Sequence, residues 1–498
     1  MKHKQIRLNA LTTFAQVIGS AAALFCLYRF LIRTIGVERL GIWSLVLAAT
    51  SVVTLANQGF STSIVKFVAK YVAREQTESV SVLIQTAVIS IALALGLLSI
   101  GLYPGAKWLL AIVLPRSRLA EAIALLPYAF VSLWINLVGS ILQAGLAGYE
   151  FITHRNYVVL GGSALYLFLS FALVPHHGLL GLAYSQTIQA SACFLASWVL
   201  LRRCVPGLPF VPHRWNRALF REMAGYGLHF QLITISQSVR EPVTKALLAR
   251  FGGLELTGYY DIALRWVVTF RELIVQANQV LVPTISSLQE RDPLSIPVVY
   301  RESYRVVFFL AIPTFAFLTV ASPLVSLIWM GREEPVFVHF VALLAAGWLV
   351  NTLANPAYVV DLGTGALRWV SIGCIVTAAL NAILGFLAGK YITGTAVVGA
   401  YVFSLILGYA VVIAAYHIEN CVPLAELLPK ESFGILFSSL AGAAIFLPFA
   451  TAWSGHSRLS LHVAFGFCAA AVAIIVVPMW LHPMRKRLMN WAISRLPA

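Results

Sequence analysis

The chain has 498 residues, of which 60% are hydrophobic and only 11% are Asp, Glu, Lys or Arg, and its mean hydropathy is +0.85. Soluble domains carry about 25% charged residues, so this composition cannot supply a water-facing surface and excludes a soluble enzyme. The net charge of +16 is scattered over short segments; no basic domain is large enough to grip a duplex, and nucleic acid is not an expected partner.

Apolar stretches near 20 residues, the length that crosses a bilayer, recur along the whole chain. They predict an all-α polytopic membrane protein of about 14 spans: 9–31, 41–60, 80–102, 121–145, 156–174, 178–201, 224–250, 257–282, 303–326, 336–357, 368–389, 394–417, 433–452 and 461–481. The first two are joined by "RTIGVERLGIW", Arg33 to Trp43, and the seventh and eighth by "RFGGLELTGYY", Arg250 to Tyr260. Gly36, Glu38 and Gly41 stand opposite Gly253, Glu255 and Gly258, always 217 residues apart. Six spans separate the copies, an even number, so both keep the same orientation. That is a parallel repeat of two pseudo-symmetric six-helix bundles, with the last two spans as an addition. The expected boundaries are 1–201 for the first bundle, 202–223 for a linker, 224–417 for the second bundle and 418–498 for the final two helices and tail. Gly36 and Gly253 suit a turn that needs positive φ, and Glu38 and Glu255 suit the first turn of a helix. The small Gly41 and Gly258 permit close approach. The matched hairpins are candidates for the two lips of an outer gate.

Between the third and fourth spans, Tyr103 to Ala120 reads as the longest outer loop, about 18 residues. Between the bundles, "RRCVPGLPFVPHRWNRALFREM" reads as a cytoplasmic linker in which Arg214, Arg217 and Arg221 form an amphipathic helix on anionic lipid headgroups. Lys66, Lys70 and Arg74 make a second such stripe. Sorted by loop with the amino terminus inside, 21 Lys and Arg fall on the inside and 9 on the outside. This bias places both termini in the cytoplasm.

The remaining five of the 35 basic residues fit no loop: Arg29, Arg240, Lys245, Arg265 and Arg271. Facing lipid at mid-helix, each costs roughly 2.5–3.5 kcal/mol or more, so they are expected to face a wet interior or an acid. Glu241 with Lys245 and Asp261 with Arg265 are spaced i, i+4, and Glu272 lies further along the same face as Arg265. Arg240 and Arg271 have no acid at i±3 or i±4; another helix or an anion is their expected partner. Pro242, Pro313 and Pro356 are expected to bend their helices. No Asp or Glu lies inside the first six spans, Glu121 standing at a helix start. The six cysteines form no CxxC pair and the eleven histidines no metal spacing, so neither metal nor cofactor is expected.

The opening "RLNALTTFAQVIGSAAALFCLYRFLIRTIGVERLGIWSLV…LANQGFSTSIVKFVAKYVARE" resembles that of bacterial polysaccharide flippases, the Wzx-type members of the multidrug/oligosaccharidyl-lipid/polysaccharide exporter superfamily. Asn9, the GxExxGxW hairpin, the polar "NQGF" at Asn57 to Phe60 and the "KFVAKY" that follows carry the likeness, and the layout of six, six and two spans extends it along the chain. The resemblance implies a transporter in the bacterial inner membrane. It would pass an undecaprenyl-diphosphate-linked oligosaccharide to the outer leaflet for O-antigen, capsule or exopolysaccharide synthesis, beside a polysaccharide polymerase. The five cations then become the expected diphosphate site, because phosphate oxygens take charge-assisted hydrogen bonds from Arg. The alternatives are a cation-coupled drug exporter, whose acid-lined first bundle is missing here, a lipid II flippase, and a membrane enzyme of polysaccharide assembly. No "GxxxxGK[ST]" phosphate loop is present to bind ATP.

Overall fold

In hydrocarbon each backbone N–H and C=O must find its partner within the segment, which leaves the helix as the form for a long apolar run. The computed structural model describes residues 2–51, 53, 64–65, 67–68, 71–72, 76–149, 151–205, 207–279, 281–453 and 461–485. Among them there is no strand. Each of the fourteen expected spans falls largely on helix over its described residues, with turn residues at Gly178, Ala354, Gly394 and Thr395. The helices are α1 (Lys2–Ile35), α2 (Val37–Thr50), α3 (Thr77–Val113), α4 (Arg116–Gly148), α5 (Ile152–His177), α6 (Leu179–Cys204), α7 (Arg217–Phe251) and α8 (Gly253–Gln279). They continue as α9 (Leu281–Arg291), α10 (Ile296–Met330), α11 (Pro335–Leu353), α12 (Asn355–Thr364), α13 (Arg368–Tyr391), α14 (Ala396–Glu419), α15 (Phe433–Trp453) and α16 (Leu461–Leu481). Eight candidate spans among the described residues, one of them α11 and α12 together, are long and apolar enough to cross a membrane. Asn57 to Phe60, Lys66, Lys70, Arg74 and the tail from residue 486 lie outside the described residues, as do the side chains of Arg7 and Asn9.

Two expectations are corrected. The 18-residue outer loop does not form: α3 runs on to Val113 and α4 starts at Arg116. The stretch 103–113 is apolar enough to stay helical, Pro104 included, and α3 reaches about 55 Å at 1.5 Å per residue. Next, Arg214, Arg217 and Arg221 do not share a helix. Asn216 caps α7, its side chain accepting from the N–H groups of Ala218 and Leu219, so Arg214 is left in the linker, where it meets Glu78 at 2.9 Å. Helices α7 and α10 continue through Pro242 and Pro313, while Pro356 coincides with a break. The tenth span ends at Leu353 and restarts as α12, with Pro356 in the first turn, where the missing N–H costs least.

The linker is strapped to α3. Gln85 Oε1 accepts from the backbone N–H groups of His213 and Arg214, both at 3.1 Å, and its amide nitrogen donates to Ser81. Ser81 donates to the Gly207 carbonyl, Thr86 accepts from the Asn216 N–H, and the Trp215 indole donates to Ser90. Four polar residues of α3 are thereby partnered.

The chain packs as two compact units, Met1–Gly258 and Tyr259–Ala498. In the first, α1 packs on α5, α4 on α6 and α5 on α6. Helix α7 packs on α2 and α3, which carries it into the first unit although the sequence repeat assigns it to the second bundle. In the second unit α13 pairs with α14, α11 lies on α10 and α14, and α15 and α16 lie on α10.

Candidate functional site

The two copies of the repeated stretch touch each other. At both turns the glycine is required by backbone rather than by space: φ is 82° at Gly36 and 84° at Gly253, and a side chain there would meet nothing within 4 Å. At Gly41 and Gly258 space decides. A Cβ at Gly41 would lie 2.0 Å from the Leu254 carbonyl oxygen and 3.2 Å from the Gly258 nitrogen. One at Gly258 would lie 2.4 Å from the Val37 carbonyl oxygen. The first turns of α2 and α8 therefore meet backbone to backbone, as small residues allow between membrane helices. The first hairpin is also tied to α4. Arg118 makes a two-pronged bridge to Glu38, at 3.2 and 3.3 Å, and Arg39 lies 3.5 Å from Glu121. Glu38 thus has a partner beyond the helix end it begins, a pairing across 80 residues that local spacing could not reveal.

The five cations occupy three helices. On α7, Arg240 is 6% exposed and Lys245 2%. Lys245 Nζ reaches Glu241 at 2.6 Å, and the acid's side chain is 47% exposed. On α8, Arg265 Nε lies 3.4 Å from Asp261, which is buried. Arg271 has three neighbours: Glu272 next to it at 2.5 Å, the Asn351 side-chain oxygen on α11 at 2.7 Å, and the Trp348 ring at 5.0 Å. The acid that serves Arg271 is its sequence neighbour, a spacing ordinary helix-face reasoning passes over, because i and i+1 side chains diverge unless one is long. Arg29 is exposed on α1.

Other polar groups were not singled out in the sequence. Asn351 and Asn355 flank the α11–α12 break. Asn278 donates to Asn355 at 2.8 Å and accepts from Ser303 at 2.7 Å, so the break is stitched to α8 and α10. Asp361, 9% exposed on α12, lies beyond the span end expected at 357. The signal available was "NTLANPAY", two asparagines four apart beside a proline.

A family model described as polysaccharide biosynthesis protein matches residues 30–333. Among solved structures, the lipid II flippase MurJ in an inward closed conformation is similar with a TM-score of 0.72 at 12% identity, over 95% of this chain and 97% of that one. An inward-facing multidrug resistance MATE family transporter of the MOP superfamily follows at 0.70 and 15%, over 81% and 94%. A MOP superfamily transporter from Pyrococcus furiosus, whose binding pocket is described as having reverse polarity, gives 0.55 and 14%, over 84% and 93%. At these identities the likeness is one of fold. No curated protein matches the chain.

Proposed function

The chain belongs to the polysaccharide biosynthesis protein family, and on that premise we propose that it flips an undecaprenyl-diphosphate-linked oligosaccharide from the inner to the outer leaflet of the bacterial cytoplasmic membrane by alternating access. The observation that carries the reading is the charge set of α1, α7 and α8: Arg29, Arg240, Lys245, Arg265 and Arg271 against Glu241, Asp261 and Glu272. Cations exceed acids, and the excess sits on helices where a charge facing lipid would be costly. A diphosphate offers what such a set lacks, several acceptor oxygens and negative charge, and Arg takes them in pairs. In this reading Arg240 and Arg271 contact the diphosphate and Lys245 and Arg265 hold the field, while Arg29 assists from α1. The packed hairpins of Gly36–Gly41 and Gly253–Gly258 are the outer gate in its shut state, Pro242 lies at a bend used in rocking, and a polysaccharide polymerase takes the delivered product. The sugar hangs in the aqueous side of the site and the polyprenyl chain stays in lipid.

The test is the undecaprenyl-linked oligosaccharide profile of a deletion strain carrying the wild-type chain or Arg240→Ala. The expected result is export with the first and build-up of the intact lipid-linked oligosaccharide on the cytoplasmic side with the second, at equal protein level. Build-up of lipid II instead, or an unchanged profile in the deletion strain, would overturn the assignment.

A further inference from the structure

A second feature of the first unit lies on its lipid side. Helices α5 and α6 pack tightly at Gly162, where a Cβ would meet the Cys193 sulfur at 2.3 Å. Beside that contact the helices part and leave a slot of about 400 Å³, lined by His154, Tyr157, Gly161 and Leu165 from α5 and by Ala196 and Leu200 from α6. Gly161 has no atom within 4 Å of where a side chain would stand, so the slot exists because that residue is glycine. Apolar side chains of the same two helices are exposed, Tyr157, Phe168, Leu195 and Val199 at 58%, 69%, 57% and 45%, as expected of faces that meet lipid.

The slot has direction and length. Its span on α5, His154 to Leu165, is eleven residues or about 17 Å, the depth of one leaflet of a hydrocarbon core about 30 Å thick. One end is basic. His154 lines the mouth, Arg155 is next to it, and Arg203 continues the stripe Cys193, Ala196 and Leu200 by one more turn of α6. Arg155 and Arg203 are exposed, and among the described residues neither has an acid within ion-pair distance. With the basic end at the headgroups, the other end would reach mid-bilayer.

We infer that this slot is a binding site for one acyl chain of an anionic phospholipid, with the lipid phosphate at His154 and Arg203. A leaflet-deep apolar slot with a basic mouth matches a phospholipid in both length and charge, since each basic residue at the surface favours anionic headgroups. A polyprenyl chain is far longer than the slot and would leave most of itself outside. The site is separate from the cations of α7 and α8 and does not depend on what those transport.

The test uses the full chain in nanodiscs containing phosphatidylglycerol with a diazirine on its acyl chain, photolysed and mapped by peptide mass spectrometry. Adducts are expected to concentrate on residues 157–165 and 192–200. Gly161→Phe fills space that is empty and is expected to reduce them about tenfold; Ala196→Phe provides a second plug should the first fail to fold. His154→Gln with Arg203→Gln is expected to lower them about fivefold, as is a neutral phosphatidylcholine probe. Labelling spread evenly to Phe168 and Phe171, or indifferent to plug and headgroup, overturns the site. Displacement of the probe by undecaprenyl phosphate but not by unlabelled phosphatidylglycerol overturns the choice of ligand.

Discussion

Arg271 shows how one residue's role turns on its neighbours. Its guanidinium already holds Glu272 and Asn351, so two explanations compete: it neutralises an acid, or it offers its remaining N–H groups to a substrate anion. The double change Arg271→Ala with Glu272→Ala separates them. We expect the pair to remain inactive in export, because the diphosphate contact is gone; restored export would reduce Arg271 to a neutraliser. Arg240→Lys is also expected to lower export strongly at normal protein level, since a point charge loses the paired geometry of a guanidinium. Arg265→Ala should act on folding instead. Asp261 is 4% exposed, and removing the cation 3.4 Å away takes charge compensation from a buried acid, at a cost of up to about 3 kcal/mol. A lowered Tm of the purified protein, relieved by adding Asp261→Asn, is the measurement.

Among the helices, the α2–α8 contact and the linker strap are the features most open to perturbation. With Gly41 and Gly258 packed backbone to backbone, Arg39→Cys and Leu256→Cys are expected to crosslink with a short reagent, and substrate should reduce trapping if the hairpins part during transport. No crosslink in any state would leave the repeat as shared ancestry without a gating role. Gly41→Leu forces side-chain atoms against the Leu254 carbonyl and should destabilise this closed contact by about 1–3 kcal/mol, seen as loss of the same crosslink. On the strap, Gln85 is 1% exposed and accepts both linker N–H groups. Gln85→Ala removes both bonds, at about 1 kcal/mol each, and limited proteolysis within residues 207–216 should accelerate severalfold. Arg214→Ala should change it little, because its bridge to Glu78 is exposed and such pairs contribute about 0–1 kcal/mol.

For the whole molecule, the 21-to-9 distribution of Lys and Arg predicts that both termini and the linker lie in the cytoplasm. Reporter fusions at Gly207 and at the carboxyl terminus check this, and an external signal at either would overturn the arrangement. The sequence by itself determined that the chain is a membrane protein, where its helices run, and that its two hairpins are copies. Those properties follow from hydropathy and from turn chemistry at Gly36 and Gly253, both local, and the low-dielectric solvent forces each span to satisfy its own backbone. It also carried the i, i+4 spacing of Glu241 with Lys245 and of Asp261 with Arg265, since that spacing is a helix-surface distance. Only the tertiary structure decided that Gly41 faces Gly258, that Arg118 reaches Glu38, that Asn351 holds Arg271 and that α7 packs with the first unit. Each of these joins residues tens to hundreds of positions apart, and no hydrophobic period encodes such a meeting. It arises when helices with small residues at the right depth come close enough for backbones and long polar side chains to find one another.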